Sequence, residues 1–202
     1  MCRIGILGGT FNPIHNGHIA LAKAAYSELN LDKVLIMPTG ISYLKANQQV
    51  ESKIIRSDMV KLAVDKESGL EYSDIEIKRD GNTYTYETLL ELKNINNDCT
   101  YYYIIGADTL FNLENWKNPD IIFKECIIAV MRRDDVDILE IEHKINELEE
   151  KYFAKCTIID VPKIDISSTL IRDLIKTGDI EKTKPLLPEK VYSYITENGL
   201  YG

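Results

Sequence analysis

Two of the three histidines in the chain stand close together in a glycine-rich segment. His15 and His18 are three residues apart, within the stretch GGTFNPIHNGH at residues 8–18. The stretch follows a short apolar run at residues 3–7 and precedes apolar residues at helical spacing, so it joins a predicted strand to a predicted helix. Glycines let a backbone come close to a ligand, and a helix N-terminus offers unpaired N–H groups that suit phosphate. The segment therefore predicts a phosphate-binding loop that carries two imidazoles.

Other chemistries fit this segment less well. It contains neither GxGxxG nor the GK[ST] ending of a P-loop, which removes the main support for a dinucleotide dehydrogenase or a P-loop hydrolase. Histidines three residues apart can share a zinc ion, but a third ligand at a recognisable spacing is missing. His143 falls in a charged predicted helix, and the cysteines fall in or beside predicted strands. A simple helix-capping role for the histidines stays open.

A second segment, ISSTLIR at residues 166–172, opens another predicted helix with hydroxyl residues at its cap positions. A capping box would place Glu or Gln three residues after the cap, whereas here Arg172 stands three residues after Thr169. The helix dipole disfavours a cation in the first turn by about 0.3–1 kcal/mol, and a bound anion reverses that sign. Arg172 therefore indicates a second anion-binding position. An exposed arginine tolerated at a slight cost is the alternative.

Predicted strands and helices alternate along nearly the whole chain. Apolar runs and period-two patterns predict strands at residues 3–7, 33–37, 71–77, 101–105, 126–131 and 156–161. Helical spacing predicts helices at residues 19–29, 50–64, 86–92, 138–153, 169–176 and 189–197. This alternation predicts an α/β fold with a doubly wound, mainly parallel sheet and helices on both faces. No linker or repeat divides the sequence, so we expect a single domain over residues 1–202.

Composition limits the class of partner and the location. The chain of 202 residues carries 24 Lys and Arg against 32 Asp and Glu, a net charge of −8. It therefore has no global field that attracts nucleic acid. No apolar run approaches the roughly 20 residues that span a bilayer, so we expect no membrane association. The cysteines form no CxxC pair, and we expect them to be reduced and the protein to be cytoplasmic. They are Cys2, Cys99, Cys126 and Cys156.

Together the two segments resemble the signatures of the nucleotidyltransferase superfamily. The first contains the T/HxGH signature and the second is similar to the ISSTxIR signature. The resemblance extends to the bacterial nicotinate-nucleotide adenylyltransferase family, because three further motifs follow in the same order. They are GNTYTYETLLEL at 81–92, YIIGADTLFNLENW at 103–116 and VYSYITENGLY at 191–201. The resemblance covers almost the whole chain and implies a Rossmann-like nucleotidyltransferase fold.

One segment departs from the family pattern. After the second predicted strand, members usually carry a Pro-Pro-His-Lys-like stretch, whereas residues 41–45 read ISYLK. Leu44 replaces the usual histidine and Lys45 keeps its place. A phosphate or metal role of that histidine cannot be carried over to this chain, but Lys45 can still reach a phosphate as a flexible point charge.

The resemblance implies an adenylyl transfer. The phosphate of nicotinate mononucleotide would attack the α-phosphorus of ATP, giving nicotinate adenine dinucleotide (deamido-NAD) and pyrophosphate without a covalent enzyme intermediate. Such a reaction needs positioned donors more than a general base. Mg²⁺ would accompany ATP, held by substrate oxygens and water with no dedicated protein metal site. The implied ATP site comprises Gly8, Gly9, Thr10, Phe11, His15, His18, Gly106, Asp108, Ile166, Ser167, Ser168 and Arg172.

The same resemblance implies individual catalytic roles. His18 would meet the α-phosphate, and His15 and Thr10 would meet the triphosphate. Arg172 would bind the β- and γ-phosphates, and Lys45 would bridge the two anionic substrates. His15, His18, Lys45 and Arg172 are thus the implied catalytic residues.

The acceptor site is implied by four residues. Trp116 would stack on the pyridine ring, Thr85 would help to bind its carboxylate, and Arg132 and Lys45 would meet the acceptor phosphate. Asp108 has two interpretations, an acceptor for ribose hydroxyls or a helix N-cap. Two rival functions stay open: a sibling enzyme that prefers nicotinamide mononucleotide, and a module that senses nucleotides without turnover. The oligomeric state is open too, a homo-oligomer included.

Overall fold

Parallel strands form the centre of the molecule. The computed structural model describes residues 2–42, 50–132, 137–161 and 164–202. Its strands are β1 Arg3–Gly9, β2 Lys33–Pro38, β3 Ile41–Ser42, β4 Leu70–Tyr72, β5 Asn82–Thr83, β6 Thr100–Gly106, β7 Ile127–Arg132 and β8 Cys156–Asp160. Six of them make one sheet in the order β4-β2-β1-β6-β7-β8, in which every neighbouring pair is parallel. β3 and β5 make a separate short parallel pair.

Helices cover both faces of the sheet. They are α1 Asn16–Glu28, α2 Lys53–Val64, α3 Ile75–Lys78, α4 Thr85–Ile95, α5 Ala107–Leu110, α6 Pro119–Glu125, α7 Ile138–Tyr152, α8 Ser168–Lys176, α9 Ile180–Thr183 and α10 Glu189–Glu197, with 3₁₀ turns at Leu113–Asn115 and Lys184–Leu186. α1, α2, α8 and α10 pack on one face, and α4, α6 and α7 pack on the other. In β6, Tyr102 and Ile104 join the first core while Tyr101, Tyr103 and Ile105 join the second. Burial on both faces explains the continuous apolar runs, and the predicted fold class is confirmed.

The order of the strands reverses between β1 and β6. From β1 the chain builds outward through β2 and β4, then returns to the other side of β1 and builds outward through β6, β7 and β8. In such sheets, ligands bind beyond the carboxyl ends of the strands at this point of reversal. The glycine-rich loop after β1 and Gly106 at the end of β6 therefore border the same crevice.

The strand predicted at residues 71–77 is wrong in its second half. β4 ends at Tyr72, which pairs with Ile36 of β2, and the chain then forms α3. The last backbone bond toward β2 runs from the Ser73 N–H to the Ile36 carbonyl, at 3.1 Å. Farther along, β2 ends at Pro38, which has no N–H to donate, so a longer β4 would lack a partner.

The structure also corrects the prediction that every cysteine is reduced, because it joins Cys2 and Cys99 in a disulfide. These residues stand 97 positions apart in sequence, but they precede the neighbouring strands β1 and β6, and their Cα atoms are 4.5 Å apart. The Thr100 N–H donates to the Cys2 carbonyl at 2.8 Å, which holds the two strand starts together. Cys126 and Cys156 are free thiols.

Within the described ranges, none of the helices has the length and apolar character needed to span a bilayer.

Candidate active site

The two histidines of the glycine-rich loop meet face to face. His15 occupies the N-cap position of α1 and His18 lies in its first turn, and their ring centroids are 3.7 Å apart with 26° between the planes. The backbone N–H of His15 donates to Nδ1 of His18 at 3.3 Å. Because Nδ1 accepts this bond, the neutral His18 ring carries its proton on Nε2, which makes Nε2 the donor. The first turn of α1 has no acidic residue to repel an anion.

His15 packs against the face of the His18 ring on the buried side. Its side chain is buried, and burial lowers its pKa to about 4, so the ring is neutral near pH 7. Gly17 leaves room for this ring, since a Cβ at that position would lie 3.0 Å from His15 Nδ1. His15 does not line the cavities described below, so its proposed contact with the triphosphate stays a prediction.

A cavity of about 960 Å³, which we name the outer cavity, opens between the glycine-rich loop and α8. Ser168 Oγ donates to the Pro13 carbonyl at 2.8 Å, and Arg172 Nη1 donates to the Asn12 carbonyl at 2.8 Å. These bonds join segments that are more than 150 residues apart in sequence. Of the predicted ATP residues, the outer cavity brings together Gly9, Thr10, Phe11, His18, Ser168 and Arg172.

α8 begins at Ser168, before the start at residue 169 that the sequence predicts, so Arg172 lies in its second turn and not in its first. Ser167 is its N-cap, and its side chain accepts from the Leu170 N–H at 3.1 Å. Arg172 Nη2 donates to Thr169 Oγ1 at 3.1 Å, so the guanidinium folds back over the first turn toward the outer cavity. Lys176, one helical turn farther along, lines the same cavity and was not predicted.

A second cavity of about 330 Å³, the inner cavity, lies over the carboxyl ends of β1 and β6. Thr85 and Trp116 both line it, as the sequence predicts for an acceptor site. Tyr103 stands between them: its hydroxyl is 3.4 Å from Thr85 Oγ1, and its ring meets the indole edge to face at a centroid distance of 6.0 Å. Gly8, Gly9, Thr10, His18 and Gly106 complete the predicted members of this lining.

Sequence reasoning missed Tyr103, although it is central to the inner cavity. A Cβ on Gly8 would come within 2.9 Å of the Tyr103 hydroxyl, so the glycine permits this approach. The one available signal was the alternation within β6, which points Tyr101 and Tyr103 to the same face. That pattern alone does not distinguish a core tyrosine from one in a binding site.

Several predicted site residues lie elsewhere. Asp108 is exposed in the first turn of α5, and the N-cap of that helix is Gly106, so the N-cap interpretation of Asp108 is wrong. Arg132, at the end of β7, donates from Nε to Asp160 at 2.6 Å, and lines neither cavity. Ile166 is half-buried against the core. Lys45 and Leu44 lie outside the described residues.

The described residues contain no group of three or more His, Cys, Asp or Glu side chains that could hold a metal ion. The protein donors at the two cavities are instead imidazole, guanidinium, ammonium, hydroxyl and backbone N–H groups, which suit anionic oxygens.

Comparison with known proteins agrees with this geometry. Residues 6–174 match the cytidylyltransferase-like family. Proteins of Lachnoclostridium phytofermentans and Clostridium tetani, each named probable nicotinate-nucleotide adenylyltransferase, are 40% and 39% identical over 201 residues, with all of both chains covered. Plasmodium falciparum nicotinic acid mononucleotide adenylyltransferase complexed with NaAD has the same fold, with a TM-score of 0.80 at 22% identity, covering 100% of this chain and 98% of that one.

A parallel sheet with a T/HxGH loop at its point of reversal and an ISSTxIR helix opposite defines a nucleotidyltransferase. Given its full-length relatives, the chain belongs to the nicotinate-nucleotide adenylyltransferase family, within the cytidylyltransferase-like proteins. It is therefore an enzyme.

Proposed function

We propose that this enzyme transfers the adenylyl group of ATP to nicotinate mononucleotide, forming nicotinate adenine dinucleotide and pyrophosphate. One observation carries the proposal: His18, with Gly9 and Thr10, lines both the outer and the inner cavity. A donor at the junction of two ligand cavities can contact the phosphorus that passes from one ligand to the other. The names of the relatives and the NaAD complex of the structural neighbour support this pair of substrates.

The outer cavity suits a triphosphate. The N-terminus of α1 faces this crevice without an acidic side chain in its first turn, and Arg172 and Lys176 add positive charge from α8. Ser168 and Thr169 add hydroxyl groups at the start of that helix. Cations, hydroxyls and a helix N-terminus together are a usual setting for phosphate oxygens.

In the proposed reaction an oxygen of the acceptor phosphate forms a bond to the α-phosphorus of ATP. The bond from that phosphorus to the bridging oxygen of the β-phosphate breaks, and its electron pair leaves with pyrophosphate. The acceptor phosphate is ionised near pH 7, because its second pKa is about 6, so no general base is required. His18 donates Nε2–H to the α-phosphate oxygen on which charge accumulates.

Mg²⁺ is proposed to enter with ATP rather than to occupy a resident protein site. The described side chains around the outer cavity include cationic and hydroxyl groups, and Glu51 is the one acidic side chain among its lining residues. This set fits a metal that is held mainly by phosphate oxygens and water. When bound, the ion would neutralise part of the triphosphate charge.

The inner cavity favours an acceptor with a ring carboxylate. α4 begins at Thr85, so its first N–H groups and the Thr85 hydroxyl offer donors at the cavity edge. A carboxylate accepts from all of them, whereas an amide turns an NH₂ donor toward a donor. Leaving such groups unpaired costs about 1–3 kcal/mol, roughly tenfold to over a hundredfold in kcat/KM. Trp116 would stack equally well on either ring.

Pyrophosphate release tests the proposal, with ATP and nicotinate mononucleotide, nicotinamide mononucleotide or phosphopantetheine as acceptor. We expect the highest kcat/KM with the nicotinate acceptor. Thr85→Val should narrow the gap to the amide, and Trp116→Ala should weaken both pyridine acceptors alike. Equal use of the amide would refute the selectivity, and turnover with phosphopantetheine alone would refute the function.

Fluorescence adds an assay that needs no turnover, since Trp116 is the single tryptophan of the chain. Saturating nicotinate mononucleotide should change its emission. Binding of ATP and acceptor without any product would instead identify a nucleotide-sensing module.

Other parts of the proposal rest on the family resemblance. Lys45 bridging the substrates, Arg132 at the acceptor phosphate, a cytoplasmic location and a homo-oligomer all stay predictions. Lys45→Ala should raise the KM of at least one substrate and lower kcat. Unchanged kinetics would show that Lys45 takes no part in the reaction.

A further inference from the structure

A buried arginine joins the loops at the ends of β1 and β2. Arg56 lies in α2, with only 3% of its surface exposed. Each nitrogen of its guanidinium donates to a different backbone carbonyl: Nε to Glu51 at 3.0 Å, Nη1 to Thr10 at 2.7 Å and Nη2 to Gly40 at 2.8 Å. Buried arginines are rare. An arginine whose three side-chain nitrogens all donate to backbone carbonyls holds chain segments together.

The three carbonyls belong to segments that border the ligand cavities. Thr10 follows β1 and lines both cavities. Gly40 follows β2 and is next to Thr39, a lining residue of the inner cavity. Glu51 precedes α2 and lines the outer cavity. Arg56 itself lines neither cavity among the described residues.

Gly40 is held from its other side as well. Its N–H donates to the Glu76 carboxyl, which is buried and also accepts from Thr88 Oγ1 at 3.0 Å. A Cβ on Gly40 would lie 2.5 Å from the Glu76 carbonyl oxygen, so the position has no room for a side chain. Gly40 is thus held at its N–H by Glu76 and at its C=O by Arg56, so both peptide groups that flank its Cα are fixed.

We propose that Arg56 is a positioning residue that fixes the distance between the Thr10 loop and the Gly40 segment, and with it the alignment of the two substrates. The inference rests on the proposed function for what the cavities bind. Arg56 acts through the two backbone segments and does not contact the reacting atoms. Misalignment of reacting groups by about 1 Å can cost on the order of 10²-fold in rate.

The planar fork of arginine is essential to this role. A lysine keeps the positive charge but has one ammonium on a flexible stem, which cannot hold three carbonyls in fixed directions. Arg56→Lys therefore separates charge from geometry. Arg3→Lys is a matched control, because Arg3 opens β1 at the opposite end of the sheet, stacked over Tyr102 at 5.2 Å.

The first experiment compares kcat, KM for each substrate and melting temperature for wild type, Arg56→Lys and Arg3→Lys. We expect Arg56→Lys to lower kcat/KM about 10–100-fold, with a raised KM for both ATP and the acceptor. Arg3→Lys should keep both KM values. A lower melting temperature with unchanged KM values in Arg56→Lys would reduce Arg56 to an ordinary core residue and overturn the proposal.

The second experiment is amide hydrogen exchange without substrate, which stays informative even if the proposed function is wrong. Arg56→Lys should speed exchange at residues 10–12 and 39–42 by at least about tenfold relative to Arg3→Lys, because the Thr10 and Gly40 carbonyls each lose their guanidinium donor. Arg56→Gln serves if Arg56→Lys fails to fold: its one amide group cannot hold all three carbonyls, so exchange at residues 10–12 or 39–42 should accelerate in that variant too. Unchanged exchange at Thr10 and Gly40 in a folded Arg56→Lys or Arg56→Gln protein contradicts the proposal.

Discussion

The rings of His15 and His18 lie 3.7 Å apart, yet only His18 lines the ligand cavities. The His15 ring is buried, and the lowered pKa keeps it neutral near pH 7. The backbone N–H of His15 orients the His18 ring by donating to its Nδ1. One histidine of the pair is therefore placed to donate to a ligand, and the other sets its tautomer and position.

His18→Ala should lower kcat by about 10²–10³-fold while the affinity for ATP changes only several fold, because the lost donor matters most as charge accumulates in the transition state. His143→Ala is the control, since the third histidine is exposed on α7 beside Glu147. Steady-state kinetics and equilibrium ATP binding check the prediction. A collapse of ATP affinity with kcat preserved would assign His18 to ground-state binding.

Acid should destabilise the protein through His15. Its folded pKa of about 4 lies below the usual 6.5, so the unfolded chain binds more protons and stability falls as the pH drops from 6.5 toward 4. The full loss is about 3 kcal/mol in the free energy of unfolding. His15→Phe keeps a stacked ring without a titrating nitrogen, and should show a flatter dependence than wild type in denaturant unfolding over this range. Parallel curves would contradict the assignment.

Gly8→Ala should impair use of the acceptor by displacing the Tyr103 hydroxyl, which a Cβ would approach to 2.9 Å. We expect kcat/KM for the acceptor to fall about 10–100-fold. Tyr103→Phe removes the oxygen in the way, so the double variant should recover most of the loss, a coupling typical of residues in contact. Strictly additive losses would show that the two positions act independently.

Glu114 anchors the turn that precedes Trp116. It accepts from Lys144 at 2.6 Å and Lys151 at 2.8 Å, and the Lys144 bond in particular lowers its pKa to about 2. Glu114→Gln should cost about 1 kcal/mol or less, given the partial exposure of these groups. The stabilisation is present above pH 4.5 and is lost as the pH falls toward 2. Denaturant unfolding of wild type and Glu114→Gln at low and high salt checks this prediction. The difference between their unfolding free energies should be smaller at high salt.

Thiol counting checks the Cys2–Cys99 bond. Unfolded without reductant, the protein should show two reactive thiols, Cys126 and Cys156, and four after reduction. Reduction should lower the free energy of unfolding by about 2–4 kcal/mol. KM values should not change, because the bond lies at the amino ends of β1 and β6, away from the cavities. Four thiols before reduction would restore the expectation from the sequence.

Local pattern was enough to predict the layers of the molecule. Residues 101–105 and 126–131 form continuous apolar or aromatic runs because helices cover both faces of β6 and β7. Such a run can be recognised from the local sequence of each strand. The glycine-rich loop and the ISSTLIR helix start were equally readable, since glycine, histidine and cap residues act within a few positions. The sequence alone therefore determined the class of sheet and two of the segments that line the outer cavity.

Tertiary structure decided which residues meet. The strand at 71–77 stopped early because β2 runs out of donors at Pro38, and Cys2 met Cys99 because β6 returns to the side of β1. The Tyr103 hydroxyl has room in the inner cavity because Gly8, on the neighbouring strand β1, has no side chain. Arg56 donates to backbone carbonyls of three separate segments. Each of these contacts depends on the order of strands in the sheet. Long-range packing sets that order, and no local hydrophobic pattern in the sequence encodes it.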